Sequence, residues 1–230
     1  MNQSHMIVIV DYGMGNLRSI AKALESLGSS VRVTSDPAEV AQARKLIVPG
    51  VGAFGAAMAE LTARKLVEPI TEVIADEKPY LGICLGLQVL FESSEESPGT
   101  RGLGLLRGTV KRFSSHLPGP PLASAGAGTP HTSHLKVPHM GWNQVRRGQG
   151  AWGRGQGGSP LLSGIPDGSF FYFVHSYYGD PLDRSLVVLE TDYGARFPAM
   201  LQRQNLFATQ FHPEKSQALG LRLLENFMKL

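Results

Sequence analysis

The side chain best suited to covalent chemistry is the single cysteine, Cys84, in Leu81-Gly-Ile-Cys-Leu-Gly86. Glycines two positions to either side, after an apolar run, fit a strand that turns abruptly into a helix. Such an elbow strains the backbone of the nucleophile and tolerates only small neighbours. It would present the sulfur at the strand's C-terminal end, where the helix N-terminus favours the thiolate. The Leu85 amide would then point at an oxyanion formed on an attacked carbonyl. The competing reading is a small buried hydrophobe, a common fate of free cysteine.

A thiolate nucleophile needs a base, and the base needs an orienting group. Of seven histidines, His212 stands out in Phe211-His-Pro-Glu-Lys-Ser216. Pro213 holds His212 extended. In an extended chain residues two apart point the same way, so the Glu214 carboxylate can reach the imidazole and fix its tautomer. Alone, His-Pro-Glu also fits a surface turn; beside the elbow it completes a Cys84–His212–Glu214 set for acyl transfer. Pro49-Gly-Val-Gly-Ala-Phe-Gly55 has Gly-x-Gly-x-x-Gly spacing. A dinucleotide site would place that motif after the first strand, with an acidic residue at the end of the next. Here Glu68 and Glu72 fall in a helical stretch. The alternative is a second amide donor to the oxyanion, from Val51 or Gly52.

His116, His131, His134 and His139 cluster in sequence, but without a carboxylate or thiol they read as an incidental polar loop rather than a metal site. Lys111, Arg112, Arg146, Arg147 and Arg154 fit a solvated face, or a surface for an acidic partner. Asp11-Tyr-Gly-Met-Gly-Asn16 fits a tight turn capped by Asn16, or a loop approaching a ligand.

The elements that must position these residues read as α/β. Strands are expected at Met6–Asp11, Val31–Thr34, Leu46–Val48 and Tyr80–Cys84. Helices are expected from Leu17 to Leu27, after Asp36-Pro37, from Phe54 to about Asp76 with a break at Pro69, and from Gly86 to Glu92. This alternation predicts a mostly parallel sheet flanked by helices, with function outside the strand C-terminal ends. Leu103–Phe113 reads as strand, turn, strand. Residues 114–136, rich in Pro, Gly and Ser, read as a loop insertion, and Gln149–Ser159 as a second loop. Phe170–Tyr178, Leu186–Thr191, Phe197–Arg203 and Leu206–Phe211 read as added antiparallel strands, and Ala218–Met228 as a closing helix.

The chain has 230 residues, 42% hydrophobic and 18% charged, with a net charge of +3. That suits one globular domain, taken as residues 6–230, and excludes wholesale disorder. One cysteine rules out an internal disulfide framework and fits a reducing, cytoplasmic setting. The longest apolar runs fall far short of the ~20 residues of a membrane span. The weak charge gives no reason to invoke nucleic acid.

The elbow and the late His-x-Glu, in that order, resemble the class I glutamine amidotransferases. Asp11–Ser19, Pro49–Phe54, His139-Met-Gly-Trp-Asn143 and His212–Ser216 are together similar to one branch, the glutaminase subunits of imidazole glycerol phosphate synthase. The resemblance implies a flavodoxin-like fold and no cofactor or metal. It implies hydrolysis of glutamine by Cys84, His212 and Glu214, with an oxyanion hole from Leu85, Val51 and Gly52. It further implies glutamine contacts from Gly50, Gln88, His175, Ser176 and Tyr177. The partner it implies is a (β/α)₈-barrel cyclase subunit in a heterodimer that receives the ammonia, through an interface and gate of Met140, Trp142, Asn143, Tyr172 and Lys215. Residues 114–136 depart from the pattern.

Overall fold

A computed structural model describes residues 6–114, 135–150 and 158–230. Strands Ile7–Val10 (β1), Val31–Thr34 (β2), Leu46–Gly50 (β3) and Tyr80–Cys84 (β4) alternate with helices Leu17–Ser26 (α1), Pro37–Ala41 (α2), Phe54–Ala63 (α3) and Val67–Ala75 (α4). A single helical turn, Leu85–Gln88 (α5), follows β4. Then come Phe91–Ser94 (β5), Leu106–Arg112 (β6), His139–Gln144 (β7), Arg146–Arg147 (β8), Phe170–His175 (β9), Tyr177–Pro181 (β10), Val187–Asp192 (β11), Arg196–Arg203 (β12), Leu206–Thr209 (β13) and the closing helix Gln217–Met228 (α6).

The main sheet runs β2-β1-β3-β4-β13-β12-β11-β8. Its first five strands are mutually parallel, and β12, β11 and β8 extend it antiparallel. β1, β3 and β4 are buried along their whole length, as strands covered on both faces must be. Side chains alternate between two cores. Val8, Val10, Leu46, Val48 and Tyr80 pack with α2, α3 and α4 on one face. Ile7, Ile9, Ile47, Leu81 and Ile83 pack with α1, α6 and the β9 aromatics on the other. Two small sheets, β10-β6-β5 and β7-β9, lie beside the main one.

The structure bears out the mixed α/β architecture and corrects several details. The break between α3 and α4 falls at Arg64–Leu66, where Lys65 has a φ of 56°. Pro69 instead sits in the first turn of α4, where its missing N–H is not needed. The helix after Cys84 stops at Gln88, because Phe91 buries itself in a strand that pairs with β6. Leu103–Phe113 holds one strand. Its Gly108 is no turn but a point where β10 passes too close for a side chain. Phe170–Tyr178 divides at Ser176 into β9 and β10, which join different sheets. β13 is antiparallel to β12 but parallel to β4, so it belongs to the central parallel set. Asn16 stands at the start of α1 without a side-chain cap, whereas Asp36 caps α2 by accepting from the Ala38 amide at 2.8 Å. Most of the 114–136 segment, and residues 151–157 of the second loop, lie outside the described residues.

The arm carrying His212 and Glu214 is clamped from two sides. Gly220 of α6 lies against the Pro213 carbonyl, which a Cβ there would overlap. The Tyr172 amide donates to Ser216 Oγ at 3.0 Å, and Ser216 Oγ donates to the His212 carbonyl at 2.7 Å. Gly220→Ala is therefore expected to lower the melting temperature by roughly 5–10 °C. A melt recorded by circular dichroism checks this, and an unchanged midpoint would contradict the close contact.

Candidate active site

β3, β4 and β13 end side by side. Gly50 is paired with Cys84, and Thr209 with Ile83. Cys84 has φ 54° and ψ −102°, a conformation that costs a non-glycine residue about 1–3 kcal/mol. The strain is imposed by close packing. A Cβ on Gly86 would overlap the Val48 carbonyl, so the chain leaves the strand end at once and along one path. With one turn of helix beyond it, α5 acts less through a macrodipole than through its first amides.

Cys84 lines a cavity of about 360 Å³ with Val51, Gly52, Leu85, Gln88, Glu96, Val174, His175, Ser176, Tyr177 and Lys215. This is the size class of small-ligand sites. The expected oxyanion residues and four of the five expected glutamine contacts thus face one cavity. Gly50 does not line it. It packs instead against the Tyr12 hydroxyl and Leu85, where no side chain would fit. Glu96 was not singled out by the sequence. Its carboxylate accepts from the Phe54 amide at 2.7 Å and so is held at the cavity.

His212 and Glu214 are brought together as the extended backbone requires. Glu214 Oε1 lies 2.8 Å from His212 Nδ1, and the two side chains are only 3% and 1% exposed. Nδ1 therefore carries the proton and Nε2 is left for chemistry. Nε2 has no partner in good hydrogen-bond geometry, yet it lies near enough to Cys84 for the sulfur's charge to govern it. Burial disfavours the imidazolium. The charge of an ionised Cys84, and then Glu214, outweigh burial and raise the His212 pKa to about 10.

Gln210 is the second residue the sequence reading missed. It is fully buried and donates from Nε2 to Cys84 Sγ at 3.5 Å. The available signal was its place two residues before His212 at the same strand end. Of the residues expected at the interface, Asn143 bonds to His139 and the Asp192 carbonyl. Met140 and Trp142 are exposed on β7, Trp142 lies edge-on to Tyr172, and Lys215 Nζ stands 5.8 Å from the Tyr172 ring centroid.

His139 corrects the incidental-loop reading. It is buried in β7, stacked on Tyr193 and Phe173, because its strand pairs with β9 over aromatic side chains. His116, His131, His134 and Arg154 lie outside the described residues. Arg147 donates to the Ile165 carbonyl and Lys111 pairs with Asp180, so these two cations serve the fold. No three metal-ligating side chains gather among the described residues.

Residues 8–230 match the sequence model of class-I glutamine amidotransferases. A protein of Syntrophotalea carbinolica named imidazole glycerol phosphate synthase subunit HisH is 51% identical, over 96% of this chain and 98% of its own length. One of the same name from Dehalococcoides mccartyi is 45% identical, over 98% and 97%. Among solved structures, PurLQS of Thermotoga maritima superposes with a TM-score of 0.67 at 20% identity, covering 97% of each chain. That last likeness concerns the fold alone.

The neutral state of His139 has a consequence for stability. Burial lowers its pKa from 6.5 to about 4. The unfolded chain therefore takes up this proton first, and the stabilisation is complete above pH ~6.5 and lost as pH falls toward 4. Urea midpoints at pH 7.5 and pH 5 should drop more on acidification for the unaltered protein than for His139→Phe. Equal drops would contradict the assignment.

Proposed function

The chain belongs to the class I glutamine amidotransferase family, and from that premise we propose how its residues carry out the glutaminase reaction. Within the family it is a glutaminase subunit of imidazole glycerol phosphate synthase, an enzyme of histidine biosynthesis. The observation that carries the mechanism is the meeting of Cys84 with the His212–Glu214 pair at adjacent strand ends.

The Cys84 thiolate attacks the side-chain amide carbon of glutamine, and the carbonyl electron pair moves to oxygen. Amides of Leu85 and of the Val51–Gly52 segment stabilise that oxyanion. Protonated His212 gives its Nε2 proton to the leaving nitrogen as the C–N bond breaks, releasing ammonia and leaving a γ-glutamyl thioester. Neutral His212 then takes a proton from water as the water attacks the thioester. Glutamate leaves and the thiolate returns. Glu214 holds the ring in line and supports its positive charge. Gln88, Ser176 and Tyr177 border the cavity that receives glutamine. The Glu96 carboxylate, lining the same cavity, suits the α-ammonium group.

The ammonia passes to a cyclase subunit, which we take to be a (β/α)₈ barrel docked in a heterodimer on the β7–β9 face. Met140, Trp142 and Phe170 are 61%, 47% and 52% exposed there, a cluster of large apolar groups of the kind that marks an interaction surface. The cyclase uses the ammonia on phosphoribulosyl formimino-aminoimidazole carboxamide ribonucleotide, yielding imidazole glycerol phosphate and an aminoimidazole carboxamide ribonucleotide. A single domain spanning residues 6–230 and a cytoplasmic setting complete the reading. Among the described residues no helix is long and apolar enough to cross a membrane.

Glutamate release tests the reading in three mixtures: the chain alone, with the cyclase subunit, and with that subunit plus its nucleotide ligand. The rate should be highest in the full mixture. Cys84→Ala should remove all of it, and Glu214→Gln should lower it roughly 10²–10³-fold. Full activity in Cys84→Ala would overturn the mechanism.

A further inference from the structure

The Tyr177 carbonyl sets the direction of the hydrogen bonds around the pocket. A carbonyl oxygen only accepts, and two side-chain nitrogens lie on it. They are His175 Nδ1 at 2.8 Å and Gln88 Nε2 at 2.9 Å. Both must carry hydrogen, which removes the usual ambiguity of imidazole tautomers and amide flips.

The consequence propagates two ways. In a neutral His175 with a hydrogen on Nδ1, Nε2 is an acceptor. His139 Nδ1, 3.1 Å away, must donate to it. His139 Nε2 then accepts from Asn143 Nδ2 at 3.2 Å. The orientation of that amide is checked independently, because Asn143 Nδ2 also donates to the Asp192 carbonyl and Asn143 Oδ1 accepts from the Gln144 amide. In the other direction Gln88 Nε2 donates to Gln210 Oε1 at 3.3 Å, so Gln210 turns its own Nε2 toward Cys84 Sγ. The hydrogen bonds thus link Asn143, next to exposed Trp142 on β7, with the nucleophilic sulfur, the two halves meeting at the Tyr177 carbonyl.

Aromatic rings enclose the two histidines. Phe113, Phe173, Tyr193 and Phe197 pack around His139, and Phe113, Phe173 and Phe197 around His175. Burial keeps both rings neutral, with His139 lowered to about 4 and His175 pushed well below the usual histidine value. Neutral rings are what a chain of single, directed hydrogen bonds requires.

We propose that His139 and His175 are positioning residues for glutamine hydrolysis: they hold in place the Tyr177 carbonyl, and that carbonyl orients Gln88 and, through it, Gln210. The proposal rests on the glutaminase reading. Gln210 then donates to the sulfur and supports its negative charge. With both amide hydrogens committed, Gln88 offers only Oε1 to the cavity it lines. That acceptor suits a substrate N–H group and repels a carboxylate, so it favours glutamine over the product glutamate.

Two measurements test this. In the full-length chain labelled with ¹⁵N-histidine, two-bond ¹H–¹⁵N spectra at pH 7.5 should show both rings neutral, each with hydrogen on Nδ1. Finding either as the Nε2–H tautomer or as an imidazolium would overturn the proposal, whatever the activity. In the complex with cyclase and nucleotide, His139→Phe keeps the stacking but removes both hydrogen bonds. It should raise KM for glutamine about 5- to 10-fold. It should also move the pH midpoint of Cys84 alkylation by iodoacetamide upward by about half a unit. His139→Gln, able to donate and accept, should restore much of both. Unchanged KM and alkylation profile in His139→Phe would sink the positioning role. A wild-type complex that releases no glutamate would instead sink the glutaminase reading, and the tautomers and the alkylation profile would still decide the chain of hydrogen bonds.

Discussion

Parallel pairing of β13 with β4 is the constraint on which the rest of the site depends. It sets two strand ends side by side, so the sulfur at the end of one meets an imidazole carried on a short, clamped arm just beyond the other. Rigid strands buried on both faces supply that precision. The local strain at Cys84, the clamp of Ser216 and Gly220 on the His212 arm, and the Gln210 contact all serve this one juxtaposition. A charge formed on the sulfur is answered by the imidazole, whose proton affinity rises above its ordinary value despite burial.

The parts of this site legible in the sequence were those governed by local rules. Glycines flanking Cys84 announced a sharp strand-to-helix turn because nothing larger clears the neighbouring backbone. Pro213 announced an extended arm on which His212 and Glu214 share a side. The central strands were legible as apolar runs ended by Gly, Pro or a nucleophile.

What escaped was set by long-range pairing. β7 was not recognised, since His139-Met-Gly-Trp-Asn143 alternates poorly and becomes a strand only by lying against β9. His139 therefore looked like a loop residue until its aromatic neighbours were in place. Gln210 and Glu96 carry no motif. Their importance comes from a bond to a residue 126 positions away in one case and from the cavity in the other. The parallel side of β13 is hidden for the same reason: a hairpin spacer fixes one neighbour of a strand, here β12, and says nothing of the other, here β4.

The most direct test of the account is to catch the acyl-enzyme. The complex, turning over glutamine in the presence of the cyclase and its nucleotide, would be quenched in acid and digested, and its peptides weighed. The account predicts a γ-glutamyl adduct on the peptide containing Cys84, discharged on return to neutral pH. Glutamate release without any such adduct, or with the label on another residue, would contradict it.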